Sequence, residues 1–169
     1  MSGGNSSSLD LAFSDRLPAG VTGLRVGESI LLGTSTVTGL PLPGLYQDAF
    51  ILEAPVIECR TKPSFPVGSA SVDALPGRRA PHADQGLRLH ALCAVGRQDC
   101  VPEGLTPLEA GVRVLGASSD HLILDVEDME RRPRIGDSLH FAPTYGALLA
   151  AATSPYVRLA PITTRPAGV

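Results

Sequence analysis

The chain contains no uninterrupted apolar run near the ~20 residues that a membrane-crossing helix requires. It has no basic surplus either: the formal net charge is −3 at pH 7. The first absence argues against a spanning helix. The second removes the positive footprint by which nucleic-acid binders neutralise phosphates. Cysteine is scarce; Cys59, Cys93 and Cys100 are odd in number and lack close metal-ligand spacing, so free thiols are expected rather than a disulfide framework or a zinc site. His82, His90, His121 and His140 are scattered without a His-x-x-x-His pair, which again points to a protein that holds no metal. The first residues are polar and lack the charged and apolar regions of a secretory leader, so a cytoplasmic location is expected.

Charged residues are only 18% of the chain, against 43% hydrophobic, a globular rather than a disordered composition. At 169 residues there is enough chain for one domain with a real core and too little for two large ones. Fifteen prolines and eighteen glycines interrupt the sequence too often for long helices. Between them lie short, β-branched, partly alternating runs. Phe50 to Cys59 reads as a half-buried strand in which Pro55 marks an edge or a bulge. Leu87 to Val95 places Leu87, Leu89, Ala91 and Cys93 on one face and Arg88, His90 and Leu92 on the other. Val112–Gly116 and His121–Val126 flank the turn Ala117-Ser118-Ser119-Asp120, a hairpin signature. Ser138 to Phe141 follows a turn at Ile135-Gly136-Asp137. Tyr145 to Ala152 carries strong helix formers and stops before Pro155, whereas Arg25 to Leu32 is short enough to be strand or helix. The expected fold is mainly β, a small barrel or sandwich, with Leu75 to Gln85 an exposed loop and the tail after Leu159 loose.

Two polar segments sit ahead of this β-rich region. Gly3 and Gly4 permit a tight turn and close backbone approach, and Asn5, Ser6, Ser7 and Ser8 add donors of the kind that cradle an anion; alone, the same string also reads as a solvated Gly/Ser leader. Arg25-Val26-Gly27-Glu28 follows downstream. Together these segments resemble the end of the barrel domain in fold-type III, pyridoxal-phosphate (PLP)-dependent amino-acid racemases, the alanine racemase superfamily. The rest is similar to the ornithine racemase branch. The resemblance is carried in order by Pro43 to Phe50, Lys62-Pro63-Ser64-Phe65-Pro66-Val67-Gly68, Gly96-Arg97-Gln98-Asp99, Pro102 to Leu108, Gly116 to Asp125, and Tyr145 to Val157. It implies a remnant of the end of the PLP-binding barrel over residues 1–40, a C-terminal β-domain over 41–160 and a loose tail over 161–169. Members of the family have a longer, acidic segment where this chain has Leu75 to Gln85.

The resemblance also implies roles. Asn5, Ser6 and Ser7 fall on the phosphate-binding turn, and Gly27 and Glu28 where backbone N–H groups meet the same phosphate. Tyr156 matches the tyrosine whose hydroxyl closes that site. Arg25 falls opposite the pyridine nitrogen. A guanidinium is always a charged donor and cannot take that ring's proton, which leaves a weaker electron sink, suited to α-proton exchange. Ser119 and Asp120 lie on a hairpin turn that reaches the partner subunit's active site and receives the substrate carboxylate through backbone N–H groups. Racemisation needs a base on each face of Cα. Where alanine racemases carry the second base, a tyrosine, Gly68 to Asp73 has none; Asp73 and His121 are the candidates, His121 because imidazole titrates near neutrality. For each residue the plain alternative is a solvated side chain, a turn glycine or a core tyrosine.

One lysine is present, Lys62, and the resemblance places it in a Pro-flanked connection of the β-domain, as a surface residue far from the cofactor-bearing lysine. The implied whole is a homodimeric enzyme that interconverts L- and D-amino acids, with an ornithine-like substrate. The chain reads as its C-terminal part, inactive alone, with apolar residues at Leu9 to Phe13 uncovered and self-association expected. The alternative is a non-catalytic remnant or stand-alone β-domain that serves as a binding or interaction module.

Overall fold

The structure is a computed structural model and describes residues 1–64 and 84–162. Asp73, most of the Leu75–Gln85 stretch and the end of the tail lie outside the described residues. The chain divides into two compact units, Met1–Ile51 and Leu52–Val169, a division that falls after the Pro/Gly-rich stretch around Pro43 rather than before it.

In the first unit two extended segments run side by side in parallel. Ser2 bridges Gly23 in parallel, with Thr22 N donating to Met1 O (3.0 Å), Gly3 N to Gly23 O (3.0 Å) and Arg25 N to Gly4 O (3.0 Å). A parallel pair needs a crossover, and α1 (Leu9–Phe13) lies within it. This strand–helix–strand pattern is the repeating unit of a β/α barrel. Each extended segment runs into a polar turn: Met1–Gly4 into a single 3-10 turn, Ser6–Ser8, and Thr22–Arg25 into α2 (Glu28–Leu32). Arg25 to Leu32 thus resolves as helix over its second half.

The second unit is an antiparallel sheet of six strands: β1 (Leu52–Pro63), β2 (Leu87–Cys93), β3 (Leu105–Pro107), β4 (Arg113–Ala117), β5 (Leu122–Asp125) and β6 (Ser138–Pro143). Their order is β3-β6-β1-β2-β5-β4. The end strands β3 and β4 return within contact of each other, so the sheet curls into a nearly closed barrel. Alternation along each strand sends one face inward: Leu52, Ala54 and Val56 of β1, Leu89, Ala91 and Cys93 of β2, Leu122 and Leu124 of β5, and Leu139 and Phe141 of β6 are buried together. Helix α3 (Tyr145–Thr153) adds Ala147 and Ala151 to this core. Full burial of one such Leu or Phe side chain stabilises the fold by roughly 1.5–3 kcal/mol.

Two expectations need correction, and a third, an edge or a bulge at Pro55, resolves in favour of the bulge. Pro55 lies on no edge: β1 is central, pairing with β6 over Leu52–Pro55 and with β2 from Val56 onward. Its missing N–H falls where one ladder hands over to the other, beside a bulge between Val56 and Glu58, while its carbonyl accepts from Ala94 N (3.0 Å). Lys62 lies in no connection. It is within β1, opposite Arg88, and its ammonium is hydrogen-bonded to Glu58. That ammonium holds the Glu58 carboxyl below its ordinary range. Leu87, placed on the inner face by alternation, is 70% exposed at the strand's start.

The outward face of β2 is also covered. Asp125, on β5, is 2% exposed because Arg88 meets it with two bonds (2.7 and 3.2 Å) and Arg113 with a third (2.8 Å). Burial pushes the Asp125 carboxyl up, but Arg88, the Glu127 amide and Arg113 more than offset this and hold it below the usual range. His90, its cross-strand neighbour, is 8% exposed, and burial lowers its tendency to protonate.

Candidate functional site

In the first unit the geometry follows from the parallel pair. Two neighbouring parallel strands deliver their following turns to the same end, the end at which β/α barrels carry their chemistry. There Ser6 Oγ accepts from Gly27 N (3.1 Å) and Ser29 N (3.4 Å), so the turn after one strand closes on the start of the helix after the other. Gly4 makes the approach possible: at φ +147° a Cβ would lie 2.3 Å from Ser8 Oγ. Asn5 and Ser7 serve the turn itself. Asn5 Oδ1 accepts from Ser7 N (2.9 Å) and Ser7 Oγ (2.7 Å), which leaves Ser6 as the hydroxyl that meets the second strand's end. Glu28 opens α2, and Arg25, just before it, carries an exposed side chain on a backbone fixed to Gly4.

Ser29 escaped the reading of the sequence. It is fully buried and its hydroxyl has no partner among the described residues. A buried, unsatisfied hydroxyl beside two amides that converge on a single oxygen is a donor set short of an acceptor. A phosphate supplies acceptor oxygens, so these residues fit the phosphate end of PLP. The lysine end has no such counterpart here, since Lys62 is committed to Glu58 on the barrel wall.

The second unit brings together a different group. The loop Gly96–Cys100, leaving β2, is closed by Asp99 N and Cys100 N donating to Gly96 O (3.0 Å each) and by Gly96 N donating to Asp99 Oδ2 (3.1 Å). Its outer side grips the β4–β5 hairpin: Arg97 N donates to Ser118 O (2.9 Å) and Gln98 N to Ser119 O (3.0 Å). Gln98 Nε2 donates to Asp120 Oδ1 (2.8 Å). A Cβ on Gly96 would sit 2.2 Å from Ser119 O, so only glycine admits the hairpin here. Arg97 continues the clamp through Nε to Ala117 O (3.3 Å) and a salt bridge to Glu103 (2.6 Å), which holds the Glu103 carboxyl below its usual range.

Within the hairpin, Ser118 Oγ accepts from Asp120 N (3.3 Å) and His121 N (3.0 Å), and Ser119 Oγ is bonded to the Asp120 carboxylate. Two of the turn's amides are therefore engaged internally, and a carboxylate ligand would have to replace Ser118 Oγ at them. Among the described residues, the Asp120 carboxylate meets neutral donors, Ser119 and Gln98. Ser119, Asp120 and His121 are all exposed. Tyr156 is 78% exposed, with its backbone N–H donated to Ser154 Oγ (3.1 Å). Asp99 and Ser154, both buried, were not singled out from the sequence; the one signal was the Gly96-Arg97-Gln98-Asp99 string itself. No group of three or more His, Cys, Asp or Glu that could hold a metal occurs among the described residues.

No family model matches the chain. It is 45% identical over 157 residues to the ornithine racemase of Acetoanaerobium sticklandii. It is 43% identical over 157 residues to the lysine racemase of Thermotoga maritima. Each alignment covers 93% of this chain and 44% of the relative, so the chain spans somewhat under half of these proteins. Among solved structures, the alanine racemase of Bartonella henselae, with covalently bound pyridoxal phosphate, is similar with TM-score 0.57 and 22% identity over 90% of this chain and 40% of that one. The D-threonine aldolase of Filomicrobium marinum is similar with TM-score 0.53 and 18% identity, over 89% and 34%. At these identities the structural likeness shows a shared fold.

Proposed function

Because the chain belongs to the ornithine and lysine racemase family over the part of those proteins that it spans, we propose that it forms the C-terminal portion of a PLP-dependent amino-acid racemase acting on an ornithine-like substrate. The observation that carries the proposal is the meeting of the Gly27 and Ser29 amides at Ser6 Oγ beside the unpartnered Ser29 hydroxyl. PLP, when bound, supplies an electron sink for the electrons left at Cα when its proton departs. The chain's own contribution is to hold and orient. Ser6 and the backbone at Gly27 and Glu28 take the phosphate, with Asn5 and Ser7 keeping the turn in shape. Arg25, a permanent donor that cannot take up a proton, would meet the ring nitrogen and leave it without one.

In the second unit, Ser119 and Asp120 would present the hairpin to an amino acid in the partner subunit's site, and Tyr156 would offer its hydroxyl to a cofactor phosphate. His121 at the same hairpin and Asp73 are the candidates for moving a proton at Cα. Lys62 has no part in the chemistry. A homodimer in the cytoplasm is the setting that this reading supports. The alternative, a non-catalytic β-domain, is favoured by a single observation: the chain's one lysine is bound to Glu58.

Titration of the chain with PLP tests the proposal. Reversible binding competed by inorganic phosphate is expected, with no borohydride-trapped adduct at Lys62 and no racemisation of ornithine by chiral chromatography. Absence of any phosphate-competed binding would overturn the assignment of the Ser6 turn. Stoichiometric trapping at Lys62 with turnover would overturn the role given to the lysine.

A further inference from the structure

Asp99 is a carboxylate at 5% exposure whose bonded partners among the described residues are two neutral donors. Ser154 Oγ donates to Asp99 Oδ1 (2.8 Å), a bond itself buried, and Gly96 N donates to Asp99 Oδ2 (3.1 Å). Burying a carboxylate without a cation is costly, and a neutral side chain would fill the same space. The two oxygens, however, are divided between two structures. One closes the Gly96–Cys100 loop, whose outward amides at Arg97 and Gln98 grip the Ser118–Ser119 carbonyls. The other fixes Ser154, whose hydroxyl oxygen accepts the Tyr156 N–H. A continuous run of bonds therefore links the hairpin tip to the backbone of an exposed tyrosine.

We infer that Asp99 is a positioning residue, a single carboxylate that mounts the Ser118–His121 hairpin and the Tyr156 segment on one loop and so fixes their separation. Its functional meaning rests on the racemase reading, in which the hairpin reaches the substrate in the partner subunit's active site and the tyrosine serves a cofactor phosphate. Exposed groups on flexible segments would lose orientation each time the segment moved. Here each is tied through its backbone to a buried carboxylate, while the Tyr156 side chain stays exposed. Asp99 itself touches no ligand.

Amide hydrogen exchange on the full chain tests the mount. Asp99→Asn keeps the shape but cannot accept from both donors, since one of its two terminal atoms now donates. It should speed exchange at Arg97, Gln98 and Tyr156 by about ten-fold or more while the barrel amides of Ala91 and Leu124 keep their rates. Ser154→Ala, a milder change, should speed Tyr156 alone. Unchanged rates at Tyr156 in Ser154→Ala, or uniform acceleration of the barrel in Asp99→Asn, would overturn the inference; should Asp99→Asn not fold, Ser154→Ala decides.

The functional part is read by 19F NMR of the 3-fluorotyrosine-labelled chain, in which Tyr46, Tyr145 and Tyr156 give three signals. PLP should shift the Tyr156 signal in the wild type, with apparent affinity weakened about ten-fold in Asp99→Asn. Equal response in both overturns the positioning role. No response in the wild type overturns the racemase assignment of Tyr156, and the exchange rates then judge the mount by themselves.

Discussion

The two units are built on opposite principles. The barrel of Leu52–Val169 buries an apolar cluster running from Leu52 to Ala151. In Met1–Ile51 the one apolar residue buried to that degree is Leu42, while Ser29 and Ser35 are buried polar groups. The first unit is held by hydrogen bonds: the parallel bridge, the Ser6 cluster, and Ser35 Oγ donating to Asp10 Oδ2 (2.5 Å) while accepting from Val37 and Thr38 amides. Net stabilisation per hydrogen bond is small, about 0.5–1.5 kcal/mol, against ~1–2 kcal/mol of backbone entropy lost per ordered residue. A region of this kind depends on apolar burial from elsewhere. Its exposed Leu11, Phe13, Val26 and Ile30 are what a segment of a larger β/α barrel would present to further strands and helices. The barrel unit supplies rigidity; the polar unit supplies donors.

The comparison breaks most sharply at Phe141, which is fully buried. Phe141→Ala should cost about 3–5 kcal/mol, read as a lowered urea midpoint by circular dichroism. Leu42→Ala should leave that midpoint in place, and an equal fall would show that the units do not differ as described.

Arg88→Gln comes next. It strips the best-bonded partner from buried Asp125, and a urea midpoint lowered by less than in Phe141→Ala is expected at neutral pH. Asp125 titrates below its ordinary range in the folded barrel, so its contribution is present above the unfolded pKa and is lost as pH falls through the folded one. The variant's carboxylate, left with Arg113 as its one cationic partner among the described residues, is relieved by protonation, so its deficit should shrink on acidification below about pH 4. A deficit that stays constant with pH would argue that Arg88 acts through packing alone.

Ser6→Ala should have the smallest effect. The barrel's midpoint should not move, while Gly27 and Ser29 amides, having lost their acceptor, should exchange several-fold faster. Unchanged exchange at both would remove the hydrogen-bond cluster as the feature that organises the first unit.

Strand-by-strand alternation made most of the barrel legible. Leu89, Ala91 and Cys93 point inward as their spacing demands, the β4–β5 hairpin turns at Ala117–Asp120, and α3 ends before Pro155, because each depends on neighbours in sequence. Strand β3, three residues long, has no periodicity to read. Asp125 defeated the same logic: its polar type belongs outside, yet it is buried by Arg88 and Arg113, which arrive from two other strands. Pro55 read as an edge or a bulge, since a missing N–H is ordinarily tolerated at either; the bulge follows at Val56–Glu58, and the handover between β6 and β2 is invisible in one strand's sequence.

By itself the amino-acid order determined the mainly β character, the turns, the helix at Tyr145 and the kinship of its motifs, all of which follow from local propensity and side-chain type. Tertiary structure alone decided that Met1–Gly4 and Thr22–Arg25 lie in parallel, and hence that Ser6 meets Gly27 and Ser29. It likewise decided that Lys62 is spent on Glu58 and that Asp99 joins a hairpin to a tyrosine. Apart from the Lys62–Glu58 pair, which closes within β1, each of these depends on hydrogen bonds that close between residues distant in sequence or across a loop, and a partner's position is set only once the intervening chain has folded.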